Sequence, residues 1–302
     1  MTSIRKKYSV IIPHKNTPEL LRRCLSSIPK RGDIQIIVID DNSDLDKVDF
    51  YHFPGMDDEC VEVYLTKEGK GAGYARNVGL KHAEGKWLLF ADADDYYVDG
   101  AFDVLDKELN EDLDVLYFNV TSNSTRKEAR ASCIAGKYED YFKTKDDTLV
   151  KFGIWSPWNK CIFSKLVFDY GLVFDEVPVG NDAMFNLKMS GYARKYKIIS
   201  ERLYCLTDTE GSITFRRQTY DRMFNYMKVG ISINQFLYER KLYNLSIPII
   251  SPYIIRKIIH DYGLKKLCNY ILYIHRKWSL IKAIRMYAGY LEAKKKIWFY
   301  LL

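Results

Sequence analysis

Two carboxylates one residue apart, Asp92 and Asp94, follow the apolar run Trp87-Leu-Leu-Phe90. Such a pair can converge from a tight turn on one hard cation, and oxygen donors suit Mg2+ or Mn2+, which keep positions open for phosphate oxygens. A cation there would neutralise the charge that develops on a leaving diphosphate. An acidic pair can equally cap a helix or solvate a loop, but its place behind an apolar strand favours the metal. A second acidic stretch, Asp40-Asp41-Asn42-Ser43, ends the run Ile34-Gln-Ile-Ile-Val-Ile39. A carboxylate there can accept from a nucleobase N–H or a ribose hydroxyl, and the same residues are good material for a cap or an Asx turn. Gly71-Ala-Gly73-Tyr-Ala-Arg76 fails as a dinucleotide fingerprint, because Arg76 stands where a third glycine belongs and the turn follows the third strand. Its glycines would let a helix N-terminus come close to a ligand, with Arg76 one turn in and able to pair with a phosphate.

These residues hang on alternating strands and helices. Tyr8-Ser-Val-Ile-Ile-Pro13 is a β-branched run closed by proline, and it predicts a buried strand. A helix over 18–27 should start behind Thr17 as N-cap, with Pro18 at N1. Strands are expected at 34–39, 61–65 and 87–90, with a helix from the glycine turn to His82. A further helix and strand fill 100–118, a mixed region runs through Ile213, and three amphipathic helices are expected at 219–240, 252–275 and 278–300. The alternation argues an α/β, mostly parallel sheet with right-handed crossovers, and ligands in such sheets sit at the carboxyl ends of strands. Both acidic stretches hold that position.

At 302 residues, 47% hydrophobic and 28% charged, the chain is neither collagen-like nor wholly disordered. Its six cysteines are scattered without a CxxC pair, which argues against a disulfide scaffold or zinc ribbon and fits a reducing, cytoplasmic setting. The basic start lacks a signal peptide's apolar stretch, since the run behind it stops at Pro13. The longest charge-free stretch, 242–255, is 14 residues with two prolines, short of the roughly 20 that span a bilayer. Charge is uneven. Residues 241–302 carry twelve Lys and Arg against Asp261 and Glu292, a net +10, and the remainder sums to −3. Eleven aromatics accompany that excess. The tail therefore fits a peripheral helix on an anionic membrane surface, or a helical subdomain packed on the body. No nucleic-acid-binding module is present, so no nucleic-acid partner is expected.

Four motifs in order, Tyr8-Ser-Val-Ile-Ile-Pro-His-Lys-Asn16, Ile37-Val-Ile-Asp-Asp-Asn-Ser43, Gly73-Tyr-Ala-Arg-Asn-Val-Gly-Leu80 and Phe90-Ala-Asp-Ala-Asp-Asp95, closely resemble the inverting glycosyltransferases of family 2, which have the GT-A fold. The resemblance covers about the first 215 residues. It implies a GT-A catalytic domain over 1–215, with a nucleotide-binding half (1–120) and an acceptor half (121–215), followed by a basic helical extension over 216–302. It also implies transfer of a sugar from a nucleotide-diphosphate donor, commonly UDP, with Mn2+ or Mg2+ as cofactor. The acceptor would be a hydroxyl of a glycan or lipid-linked molecule, as in surface polysaccharide synthesis.

By the same resemblance Asp40 contacts the uracil or ribose, Arg76 the nucleotide, Asp92 the ribose and metal shell, and Asp94 the metal. Pro13 begins the loop against which the base packs, and Asn16, Asp41, Gly73, Asn77 and Ala93 complete the nucleotide site. The family usually has an aromatic before Asn16; here the residue is Lys15, and His14 is placed to stack instead. Gly180-Asn-Asp-Ala-Met-Phe185 resembles the family's Glu-Asp-x-x-Phe segment, which makes Asp182 the base, with Asn181 in place of the acidic neighbour. One carboxylate suffices as base for an in-line inverting attack when a metal stands in for the acid. Outside that frame Asp182 reads as an ordinary N-cap. Trp155-Ser-Pro-Trp-Asn-Lys160 resembles a stretch that faces the acceptor, offering Trp158 and Asn159, though Trp158 could equally sit in the core. Gly211-Ser-Ile-Thr214 with Arg216 and Arg217 resembles the segment that closes the domain, where Arg216 could reach the diphosphate. A catalytically silent nucleotide-sugar-binding or membrane-docking homologue is the alternative, motivated by Asn181 and Lys15. An NAD-type oxidoreductase lacks its first-strand glycines.

Overall fold

The computed structural model describes residues 6–123, 125–207 and 219–299. The chain divides into two compact units, Met1–Val177 with Asn181–Thr214, and Pro178–Gly180 with Phe215–Leu302.

Among the described residues the first unit holds an eight-stranded sheet: β1 (Tyr8–His14), β2 (Ile34–Asp41), β3 (Val61–Thr66), β4 (Trp87–Phe90), β5 (Tyr96–Tyr97), β6 (Val115–Ser122), β7 (Lys160–Phe163) and β8 (Tyr196–Leu206). Its order is β3-β2-β1-β4-β7-β6-β8-β5. The helices are α1 (Pro18–Ser26), α2 (Ala72–His82), α3 (Ala101–Glu108), α4 (Thr125–Thr144), α5 (Thr148–Phe152), α6 (Ser164–Asp169) and α7 (Ala183–Tyr192). β1 pairs in parallel with β2 and β4, and β2 with β3, so Ile11 lies level with both Ile37 and Phe90. These strands are near-continuous Ile, Val and Leu because both faces of a parallel sheet are covered. Each fully buried side chain of that kind contributes about 1.5–3 kcal/mol. The order turns at β1, with β2 on one flank and β4 on the other, so the carboxyl ends of all three open on one crevice.

The second half of the sheet departs from a parallel reading. β7 runs antiparallel between β4 and β6, and β5 pairs antiparallel with β8 at the far edge, while β6 and β8 are parallel. Thr17 occupies the N-cap position of α1 but makes no side-chain cap bond; its N–H is taken by His14. The expected helix over 252–275 is two helices. Gly263, at φ +82, breaks it, because that backbone conformation cannot continue a right-handed helix.

The second unit comprises α8 (Tyr220–Glu239), a 3-10 turn (Tyr243–Leu245), α9 (Pro252–Tyr262), α10 (Leu264–Lys277) and α11 (Leu280–Phe299). Thr219 and Ser251 cap α8 and α9 by accepting from the Arg222 and Ile254 N–H groups. Its core gathers Met223, Met227, Ile231, Ile258, Ile274 and Ala283, and the Tyr270 hydroxyl donates to Ile249 O at 2.7 Å. Among the described residues no helix is long and apolar enough to cross a membrane.

Candidate active site

The loop after β1 and the end of β2 are knotted together. Thr17 N–H donates to His14 Nε2 at 3.1 Å, which places the ring proton on Nδ1, and that N–H meets Asp40 Oδ1 at 2.7 Å. Ser43 adds its hydroxyl to Asp40 Oδ1 (2.5 Å) and its N–H to Oδ2 (2.9 Å). Burial works against the Asp40 charge, but the His14 and Ser43 hydrogen bonds outweigh it and hold the carboxyl below its usual pKa. The His14 ring is enclosed, edge-on to Phe53, which leaves it no face for a base. Asn16, at φ +59, pins the same loop by exchanging two hydrogen bonds with Asp44, and half-buried Pro13 lies at its start. Lys15 reaches Asp41 O at 3.0 Å.

Asp41 differs from its neighbour. Its Oδ2 accepts from the Gly71 N–H at 2.8 Å, while Oδ1 is buried and has no hydrogen-bond partner among the described residues. Burial raises its pKa. A desolvated acceptor without a donor is costly to keep, and it marks a place where a ligand N–H or O–H is wanted.

Arg76 is the hub. It is buried on α2, and its guanidinium donates to Asp92 Oδ1 at 2.5 Å and to Asn181 Oδ1 at 3.1 Å. The Phe174 ring lies 5.4 Å from it. Gly73 lets α2 seat this way: a Cβ there would lie 2.2 Å from Asp175 O and 3.0 Å from Asn181 Cβ. Asn77, on the same helix, exchanges two hydrogen bonds with the Phe174 backbone and so pins that segment. A cavity of about 750 Å3 lies beside Asn77, lined by Leu80, Phe168, Val173 and Glu176 among others, and neither the acidic turn at 92–95 nor Asp40, Asp41 or Asp182 lines it.

Asp92, Asp94 and Asp95 bring carboxylate oxygens within 4.8 Å of one another, with Ala93 buried between the first two. The turn is braced. The Asp92 N–H donates to the Tyr204 hydroxyl (2.8 Å), Thr207 N–H donates to Asp95 Oδ1 (2.7 Å), and Arg23 and the Thr207 hydroxyl both donate to Asp94 O. Three hard oxygen donors on a braced turn fit a divalent Mg2+ or Mn2+.

Asp182 sits at the N-cap position of α7 in αR conformation, and its side chain makes no cap bond. Burial pushes its pKa up, and the nearby Arg76 charge offsets part of that rise. Asn159 and Lys160 are fully buried, and Lys160 is near enough to feel the Asp182 charge. Lys160 donates to Ile154 O (3.1 Å), Ser156 O (2.5 Å) and Asn159 Oδ1 (2.8 Å), and burial pushes its pKa down to about 7. Trp158 is 2% exposed, stacked on Tyr204 at 5.4 Å under Arg130. Both Trp158 and Asn159 are therefore enclosed. Arg216 and the Ser-Ile-Thr segment lie outside the described residues.

The fold thus gathers Arg76, Asn181 and Asp92 with Asp94, ties Asp41 to the start of α2 through Gly71, and sets Asp182 close enough to feel Arg76. The sequence did not signal Tyr204, Arg23 or Thr207, whose roles depend on contacts distant along the chain; Lys160 closes the Trp155–Lys160 stretch, and its hydrogen bonds are local. Asp95 was legible as a third neighbouring acid.

Glycosyl transferase family 2 matches residues 9–162, just over half of the chain, and the chain belongs to that family. The glycosyltransferase GlyA of Streptococcus pneumoniae serotype 4 is 26% identical over 230 residues, which are 69% of this chain and 31% of that protein. The GalNAc(5)-diNAcBac-PP-undecaprenol beta-1,3-glucosyltransferase of Campylobacter jejuni is 35% identical over 108 residues, 35% of each chain. The chain thus spans about a third of the length of these relatives. Staphylococcus aureus TarS 1–349, solved with UDP-GlcNAc, superposes with a TM-score of 0.68 at 20% identity, covering 88% of this chain and 78% of that one. The fold is GT-A, with helices in the C-terminal region.

Proposed function

We propose that this glycosyltransferase moves a sugar, with inversion, from a UDP-linked donor to a hydroxyl of a glycan or lipid-linked acceptor. The observation that carries the reading is the Arg76 bridge, which joins Asp92 of the acidic turn to Asn181 beside Asp182. It sets a diphosphate-and-metal site and a candidate base on one guanidinium. The UDP-GlcNAc held by TarS and the undecaprenol-linked acceptor in the name of the Campylobacter relative are consistent with it.

Asp182 is the base. It takes the acceptor hydroxyl proton as that oxygen attacks the anomeric carbon from the face opposite the diphosphate. The bond from the anomeric carbon to the diphosphate oxygen breaks, and its electron pair leaves with UDP. A raised pKa makes a carboxylate a stronger proton acceptor. Asp94, Asp92 and Asp95 would hold Mn2+ or Mg2+, which when bound supplies charge neutralisation at the diphosphate. The base contact falls to Asp41, whose Oδ1 wants a donor, rather than to Asp40, whose oxygens are already engaged by His14 and Ser43. Asp40 positions the loop.

The test is a thermal-shift panel of UDP, GDP, CMP and NAD, each with and without Mn2+. A ligand at about 100 times its dissociation constant adds roughly 2.7 kcal/mol, enough for a clear rise. A rise with UDP that requires Mn2+, followed by sugar transfer from a UDP-sugar, is the expected result. No rise with any nucleotide would overturn the reading.

A further inference from the structure

Among the described residues, two helices of the second unit carry exposed apolar faces. On α11, Ile281, Ile284, Ala288 and Leu291 recur at helical spacing on the side away from buried Ala283 and Met286, with Ile281 66% and Ile284 52% exposed. On α10, Leu264, Cys268 and Leu272 stand opposite buried Tyr270 and Ile274, and Leu264 is 66% exposed. Lys265, Arg276, Lys282 and Arg285 are exposed on the same two helices, and Lys294-Lys-Lys296 follows the α11 stripe. The acid with a described side chain in this stretch, Asp261, is already held by Lys257 at 2.8 Å and His260 at 2.7 Å. Its charge therefore offsets groups on α9 rather than those beside the two faces.

We propose that α10 and α11 dock this protein on an anionic lipid surface, the lysines and arginines meeting headgroups and the α11 stripe entering the acyl boundary. Charge decides among the occupants. A second copy would set the same +10 stretch against itself. A nucleic acid would neutralise the charge but offer Ile281 and Ile284 no apolar phase. An anionic bilayer supplies both, to a depth of about 5–10 Å for a helix lying in the interface. This inference stands apart from the transfer reaction, since vesicle binding needs neither donor nor acceptor.

The test is flotation of the full chain with phosphatidylcholine vesicles, with and without about 30% phosphatidylglycerol, at low and high salt. Binding should require the anionic lipid and weaken with salt. Ile281→Asp with Ile284→Asp should weaken it about tenfold or more while the melting temperature stays unchanged, since both side chains are exposed. Should that pair perturb folding, Ile281→Ala with Ile284→Ala gives a smaller loss in the same direction. Failure to bind anionic vesicles overturns the proposal, as does binding that both pairs leave undiminished. Reversible self-association abolished by Ile281→Asp would assign the stripe to a second copy and overturn it too.

Discussion

The Arg76 guanidinium lies 2.5 Å from the Asp92 carboxylate, joining the second turn of α2 to the acidic turn that follows β4. Its other arm reaches Asn181, 105 residues further along the chain. Lysine keeps the charge but cannot hold two oxygens in a fixed fork. Arg76→Lys should therefore lower kcat/KM by about a hundredfold, the scale of a misplaced reacting group. Steady-state kinetics with a UDP-sugar check this, and an undiminished rate would remove Arg76 from its bridging role.

Asp182 caps nothing with its side chain, so Asp182→Asn should leave the fold and UDP binding intact. Loss of the base should lower kcat by about 10²–10⁴-fold. The ionised form is the active one, and burial raises its pKa. Activity should accordingly fall as pH drops through a value above the ordinary aspartate pKa of about 3.9. A pH–rate profile reads that limb directly, and it should be missing from the residual activity of the Asn variant.

Asp40 has the opposite shift. Its folded pKa is below the unfolded one, so its ionised form stabilises the fold above the unfolded value, and that contribution is lost as pH falls through the folded value. The stability gap between the native chain and Asp40→Asn, measured by urea denaturation, should shrink below about pH 4. His14→Ala removes the acceptor of the Thr17 N–H and a donor to Asp40, and should cost about 1–3 kcal/mol.

Lys160→Met leaves Ile154 O and Ser156 O without their buried donor, at about 1–3 kcal/mol for each group left unsatisfied. The folded chain releases the Lys160 proton near pH 7, whereas the unfolded chain holds it to about 10.4. Between those values the unfolded state binds more protons, so native stability should rise with pH there relative to the Met variant. A flat difference across that window would show that Lys160 stays charged.

β1, β2 and β4 were legible because each is an unbroken apolar run buried on both faces, and the acids at their ends follow from where such strands stop. The other half of the sheet was not, since β7 is placed by pairs such as Trp87 with Phe163 and Leu116 with Cys161. The break at Gly263 was hidden because the apolar period continues across it and only the backbone angle reveals it. Asp41 and Asp40 look alike in sequence. Their different duties arise from His14 and Ser43, which close on one of them and leave the other's Oδ1 without a partner.

Residues 91–95 join β4 in the middle of the sheet to β5 at its edge, past three intervening strands. Strands about 4.8 Å apart would put those two about 19 Å away in a flat sheet. The link folds back on itself, Asp95 N–H to Asp92 O at 3.0 Å, and cannot reach so far. The acidic turn is thus a drawstring across the mouth of a curled sheet. Whatever tightens it tightens the rim, so ions that fasten the carboxylates should slow amide exchange at Tyr96 and Tyr97, and fraying at that rim should loosen the grip on the ion.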